Sequence, residues 1–315
     1  MTEEVDGEII AGELSSSCGR RYPIIKAIPR FIDGIRTEQD LRRVYADSFG
    51  HQWTTYNWER EVDEQEFFSI TDLRPEDLAE KVVFDGGCGG GRFARVVTKY
   101  CKEFVGLDFS IAVDKAYELC KDHPHAHFLQ CDINNHPLKS NQFDFVYSHG
   151  VIHHTPDTKK AFDNLPRLVK EGGLLYLAVF RWTFGPMQIP DRLLRSALNK
   201  LPIPVLDKVC GGLSYVSNVP NALFLRRFFW FSLQPTHEIR KCCNYDWYGP
   251  TYHHEHTIEE VQGWFESAGF PSPRYINAWP YAPPEEKYTP PDFFGTLKLG
   301  TLLGVIARRG APLAT

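Results

Sequence analysis

Apolar and polar positions change rhythm several times along the chain, and each rhythm predicts its own elements. Between Lys81 and Phe180, short apolar runs alternate with stretches of helical period. Val82-Val83-Phe84, Phe104–Leu107, His127-Phe128-Leu129, Phe143–Tyr147 and Leu174–Phe180 read as buried strands, since a strand covered on both faces shows a continuous apolar run. Phe93–Tyr100, Ala112–Cys120 and Lys159–Val169 read as helices between them. The last is kinked or restarted at Pro166, whose ring cannot continue an α-helix, and Gly172-Gly173 marks a stop before the fifth strand. Strand–helix alternation predicts parallel pairing, right-handed crossovers and helices on both faces of a doubly wound α/β sheet.

The flanks differ. The first forty residues are short-stranded and irregular, with Cys18–Ile24 leading to Ile28–Ile32. From Glu38 to about Leu78 the pattern turns helical, with Tyr45, Phe49, Trp53, Tyr56 and Trp58 along it and Pro75 closing it. In residues 181–256, Pro186, Pro190, Pro202, Pro204, Pro220 and Pro235 punctuate short apolar helices that end in Phe228-Phe229-Trp230-Phe231. That aromatic run fits either a membrane-touching patch or a buried lid helix. Four consecutive aromatics cannot all face lipid on one helix, which favours the lid. Thr257 with Glu260 three residues later is a capping box opening a helix with the stripe Val261, Trp264, Phe265 and Ala268 and a stop at Gly269. Strands at Arg274–Ala278 and Leu302–Ala307 bring the expected sheet to seven. The segments are thus 1–40, a small β-rich unit; 41–80, a helical lid; 81–180, the Rossmann-like core; 181–256, a helical insertion; and 257–315, the last helix and strands.

Composition narrows the function. Of 315 residues, 43% are hydrophobic and 24% charged, which excludes a disordered chain. Lys and Arg number 35 against 40 Asp and Glu, a net charge of −5 with no basic stripe, so a nucleic-acid partner is not expected. No run of about 18 apolar residues predicts a transmembrane helix, although peripheral membrane contact stays open. The acidic start Met1–Asp6 lacks a secretory pattern, and eight scattered cysteines read as reduced thiols, so a cytoplasmic location is expected.

The chemistry concentrates after the first core strand. Asp85-Gly86-Gly87-Cys88-Gly89-Gly90-Gly91 joins that strand to a helix, the nucleotide-binding position of a doubly wound sheet. Asp85 within the turn would repel a pyrophosphate and favours a ligand with a cationic or hydrogen-donating group. Asp108 ends the second strand, where a carboxylate accepts ribose hydroxyls. Asp132, in Cys131-Asp132-Ile133, ends the third, where it would accept from an exocyclic adenine amine. Each acid alone fits a helix cap or a solvated turn. Three at successive strand ends are harder to explain that way.

These residues resemble the D-x-G-x-G-x-G motif of class I S-adenosylmethionine-dependent methyltransferases. Phe143–Asp157 and Leu168–Leu174 resemble the fourth strand, its loop and the lead into strand five of the UbiE-like (methyltransferase type 11) branch. The likeness covers roughly residues 80–180 and implies a seven-stranded methyltransferase sheet and S-adenosylmethionine as cofactor, with S-adenosylhomocysteine as product. It implies that Asp85, Gly87, Gly89 and Gly91 hold the methionine part, Asp108 and Phe109 the ribose side, and Cys131, Asp132 and Ile133 the adenine, with Ser148 and His149 nearby. Cys18–Ile24 resembles half of a small zinc-ribbon-like (Trm112-like) module. With no C-x-x-C pair it is expected to be degenerate and metal-free.

Methyl transfer from a sulfonium is an in-line displacement in which positioning and desolvation supply much of the catalysis. A base is needed only where the acceptor must shed a proton. His149 and His153 are the catalytic candidates, as base or acceptor orienter; packing is the competing role for each. His154 is expected to cap the next helix or face solvent. In Tyr252–His256 only His254 and His256 share a face, too few ligands for a structural metal, so no metal is assigned. The resemblance implies that Tyr252, His253 and His254 line the acceptor pocket, with Trp53 and Tyr56 closing it. The expected reaction is methylation of a small, partly hydrophobic acceptor, natural product, quinone-like, lipid-linked or sugar-type, in small-molecule biosynthesis; oxygen, nitrogen and carbon acceptors all fit. The competing readings are a nicotinamide-dependent oxidoreductase on a similar sheet and a non-catalytic S-adenosylmethionine-binding protein.

Overall fold

A computed structural model describes residues 2–5, 7–32, 52, 55–56, 62–182, 189–218, 225, 228–232, 234, 236–277 and 302–313. Alternating apolar positions in the core strands divide between the two faces of one sheet. Strands β5 (Val82–Gly86), β6 (Glu103–Asp108), β7 (Ala126–Gln130), β8 (Phe143–His149) and β9 (Val169–Phe180) pair in parallel. Strands β10 (Arg274–Asn277) and β11 (Leu302–Arg308) complete the sheet antiparallel, giving the order β10-β11-β9-β8-β5-β6-β7. Phe84, Val146, Leu175 and Leu177 face one side, packed on Phe162, Trp264 and Phe265. Val83, Phe145, Tyr147, Tyr176 and Ala178 face the other, packed on Phe67, Val97, Val113 and Ala116. The sheet is therefore a doubly wound, seven-stranded Rossmann-like layer. Its strand order reverses at β5, so the crevice lies beyond the carboxyl ends of β5, β6 and β8.

A second, four-stranded antiparallel sheet is formed by β1 (Glu3–Val5), β2 (Glu8–Ser15), β3 (Arg21–Ile25) and β4 (Ile28–Pro29). It joins the large sheet through Arg30, which bridges to Gln130 at the end of β7. The Arg30 side chain is fully buried; Nη1 donates to Gln130 Oε1 at 3.1 Å and lies 2.7 Å from Asp114 Oδ1. Gln130 Nε2 in turn donates to the Phe109 carbonyl at 3.0 Å. Cys18 is exposed beside Ser16, and all eight cysteines carry free thiols.

The helices are α1 (Asp63–Thr71), α2 (Pro75–Leu78), α3 (Ala94–Val97), α4 (Val113–Cys120), α5 (Thr158–Asp163), α6 (Ile189–Leu198), α7 (Ile203–Leu213), α8 (His237–Tyr248) and α9 (Ile258–Ser267). Thr257 caps α9 as its spacing predicts, accepting from Glu260 N. Among the described residues no helix is long and apolar enough to cross a membrane.

Four local expectations change. Pro75 opens α2 rather than closing a helix; α1 has already ended at Asp72, whose φ of 54° turns the chain out. The helix foreseen at Phe93–Tyr100 shortens to α3, because Lys99 and Tyr100 switch to the tighter bonds Lys99 N–Val96 O and Tyr100 N–Val97 O. Gly172-Gly173 does not precede a strand but lies within β9, where pairing jumps from Phe143–Val169 to Phe145–Leu174 and the extra residues bulge out. Phe228–Phe231 forms no helix; Phe231 is buried, Trp230 stacks on Trp247 at 4.8 Å, and Phe229 faces outward. Pro166 does restart the chain, as the first residue of a 3₁₀ turn after α5.

Candidate active site

The turn after β5 follows from its glycines. Gly87 sits at φ 110° and Gly91 at φ 85°, outside the comfortable range of residues with a side chain. A Cβ on Gly87 would lie 2.4 Å from both Val151 methyl carbons, and one on Gly91 would lie 2.7 Å from the Ala116 backbone. The Gly87 and Cys88 N–H groups both donate to the Leu107 carbonyl, at 2.7 and 2.9 Å, which folds the turn against β6. It forms the floor of a cavity of about 820 Å³.

Five aspartates line that cavity, and three of them, Asp85, Asp108 and Asp132, stand at or just past the ends of β5, β6 and β7. Asp85 is buried at the end of β5, and burial pushes its carboxyl up to about 8, aided by Asp108 and opposed by the neighbouring Tyr147 hydroxyl. At neutral pH the group therefore holds a proton much of the time, and its repulsion of a phosphate is weaker than the sequence alone suggests. A cationic ligand would draw that proton off. Asp108 Oδ2 accepts from Gly89 N at 2.7 Å, while Oδ1 accepts from Ser110 N and Oγ at 2.8 and 2.7 Å. Burial raises the Asp108 pKa despite these bonds. Asp132 Oδ1 accepts from Asn134 N at 2.8 Å and from its side-chain amide at 3.1 Å, in an Asx turn past β7.

Of the residues read from sequence, Tyr56, Asp85, Gly87, Gly89, Asp108, Phe109, Cys131, Asp132, Ile133, His149 and Tyr252 all line this cavity. Five do not. Gly91 works behind the turn, against Ala116. Ser148 is a strut, its hydroxyl donating to Gly86 O at 2.7 Å. His153 is fully buried against Phe180, and its Nδ1 accepts from Phe180 N at 3.2 Å; its role there is packing. His253 packs among Phe180, Trp247 and His154, and burial drives its pKa down to about 2. His254 runs alongside, its N–H donating to His153 O at 3.0 Å. Trp53 lies outside the described residues.

His149 lines the cavity with its ring stacked on Tyr176 and Nδ1 3.2 Å from the tyrosine hydroxyl; burial lowers its pKa to about 4. His154 neither caps α5 nor faces solvent. Asp157 is the cap, accepting from Lys160 N, and His154 is buried at the cavity wall.

Sequence reading missed Asp246, on α8, and Tyr147, on β8, which also line the cavity. Asp246 stands in Tyr245-Asp246-Trp247-Tyr248, where the aromatic pattern drew attention and the acid carried no motif. Next to Asp246 on α8, Trp247 Nε1 and Tyr248 Oη donate to Asp191 of α6 at 2.9 and 2.6 Å, and Trp230 N donates to the same carboxylate at 2.8 Å.

The residues present fit S-adenosylmethionine. The glycine floor admits close approach, the acids offer acceptors for hydroxyl and amine donors, and the volume leaves room for a second molecule beside it.

Residues 84–177 match the profile of the methyltransferase domain family Methyltransf_11. The bifunctional biotin-biosynthesis protein BioHC of Cellvibrio japonicus is 29% identical over 164 residues, 52% of this chain and 31% of that protein. The chloroplastic tocopherol O-methyltransferase of Arabidopsis thaliana is 29% identical over 149 residues, 46% of this chain and 41% of that protein. The chain thus spans less than half the length of these curated relatives. A solved S-adenosylmethionine-dependent methyltransferase from Mesorhizobium loti superposes with a TM-score of 0.48 at 18% identity, over 78% of this chain and 97% of that one. Domain match, strand order and glycine turn together make residues 84–177 the core of a class I S-adenosylmethionine-dependent methyltransferase domain.

Proposed function

We propose that this chain transfers a methyl group from S-adenosylmethionine to a small, partly hydrophobic acceptor and releases S-adenosylhomocysteine. One observation carries the reading: Asp85, Asp108 and Asp132, at the ends of three adjacent parallel strands, border one cavity floored by a glycine turn. Bound there, the cofactor supplies a sulfonium-activated methyl. Asp108 would take the ribose hydroxyls, exchanging one of its bonds to Ser110, and Asp132 the adenine amine through its second oxygen. Ile133 and the half-exposed Phe109 would flank the base, and Asp85 would meet the methionine amine as it gives up its proton. On the acceptor side, His149, Tyr56 and Tyr252 line the wall and would orient the nucleophile. The segment 181–256 supplies Asp246, Pro250 and Tyr252 to that wall, which supports its role as the specificity element. Purified protein should bind S-adenosylmethionine at micromolar strength by calorimetry. Asp108→Ala should weaken it about tenfold or more, since the variant also frees the Gly89 and Ser110 donors. Unchanged binding in that variant would remove the ribose assignment.

A further inference from the structure

The small N-terminal sheet grips one stretch of the large domain, from Phe109 at the end of β6 to Tyr117 in α4. Ile111 is fully buried and packs on Ile25 of β3 and on Ile32. Arg30 Nη1 reaches Asp114 Oδ1 at 2.7 Å, and the Tyr117 hydroxyl donates to Glu8 Oε2 of β2 at 2.8 Å. The remaining hold, on Phe109, is indirect and runs through Gln130.

Gln130 ends β7 and is fully buried. Its Oε1 accepts from Arg30 Nη1 at 3.1 Å, and its Nε2 donates to the Phe109 carbonyl at 3.0 Å. A guanidinium only donates and a carbonyl only accepts, so one orientation of the amide serves both. Arg30 Nη2 donates to the Ile25 carbonyl at 3.0 Å, which ties the guanidinium to its own sheet. A line of bonds thus runs from β3 through Arg30 and Gln130 to the peptide that follows Phe109.

Phe109 borders the cavity and is 52% exposed, so packing does little to fix its ring and its backbone must do more. We propose that Gln130, set by Arg30, is a positioning residue for cofactor binding. It holds the Phe109 ring in place for the nucleoside half of S-adenosylmethionine. The proposal rests on the methyltransferase reading above. Gln130 and Arg30 do not line the cavity and act only through the Phe109 peptide. A ring held beforehand gives up less freedom when the nucleoside arrives, which raises affinity without a new contact.

The test measures two ligands by calorimetry. One is S-adenosylhomocysteine; the other is 5′-methylthioadenosine, which keeps the nucleoside and lacks the amino acid. Gln130→Glu leaves an acceptor for Arg30 and removes the donor to Phe109. It should weaken both ligands by the same factor, about three- to tenfold. A cooperative thermal melt reports that the variant folds. Phe109→Ala should weaken both ligands too, and in that background Gln130→Glu should cost nothing more, because the ring it positions is gone. A merely structural Gln130 would cost the same in both backgrounds. Should the buried charge unfold the chain, Gln130→Met removes the same donor and carries the same test. Full affinity in the Gln130 variant, a loss for S-adenosylhomocysteine alone, or a loss that persists undiminished beside Phe109→Ala overturns the proposal and leaves the methyltransferase reading standing. A wild type that binds neither ligand overturns both.

Discussion

The two ends of the cavity are built by different means. At the proposed cofactor end, position is set by backbone: strand ends, a glycine turn and carboxylates tied to neighbouring N–H groups, all from residues 82–134. At the acceptor end it is set by side chains from Tyr56, His154, Asp246 and Tyr252, brought together only by tertiary packing. The first end is local in sequence and rigid by hydrogen bonding. The second depends on whether α6 and α8 stay docked.

Breaking the first end should have the largest effect. Gly87→Ala places a methyl 2.4 Å from Val151 at a φ of 110°. About 2–4 kcal/mol of stability should be lost in denaturant unfolding, with cofactor binding reduced at least about tenfold by calorimetry. Retained binding would mean that the turn is not the rigid floor described.

A smaller, confined effect should follow at the other end. Asp191→Ala leaves the Trp230, Trp247 and Tyr248 donors without their common acceptor, a cost of about 2–3 kcal/mol. Stability in denaturant unfolding should fall by that amount while S-adenosylhomocysteine affinity by calorimetry holds. A parallel loss of affinity would erase the distinction between the ends.

The smallest effect is a slope. The folded-state pKa of Asp85 is raised to about 8, so between about pH 4 and 8 the folded chain holds a proton that the unfolded chain has released. Stability without cofactor should therefore fall as pH rises through that window, and Asp85→Asn should flatten this part of the profile in thermal melts. An unaltered profile would show that Asp85 is not the buried, neutral group described.

The same contrast explains what was legible in the chain. Val82–Phe84, Phe104–Leu107 and Phe143–Tyr147 announce themselves because a strand covered on both faces is largely apolar, with Asp144 the one polar residue among them, paired with Lys170. Asp85, Asp108 and Asp132 could be read because strand ends fix where they point. Thr257 and Glu260 spelled out the start of α9 through a bond spanning only three residues. Pro75 was ambiguous, since a proline ends one helix as readily as it opens the next. Gly172-Gly173 looked like a stop because a bulge and a strand start both call for glycine. Asp246 and His154 were unreadable as neighbours in one wall, because no local spacing encodes a contact between residues so far apart in the chain. His153 and His154, adjacent in sequence, were separated only by the 3₁₀ turn that points one inward and the other to the cavity.

The buried Arg30 anchor has a colloidal consequence. An outermost parallel strand such as β7 leaves a row of amide and carbonyl groups that would template pairing with another chain. By seating Arg30 and Phe31 on Gln130, the small sheet shields the far end of that row, next to the cofactor cleft. The N-terminal unit thereby guards the molecule against sticking to its own copies as well as bracing the loop at Phe109.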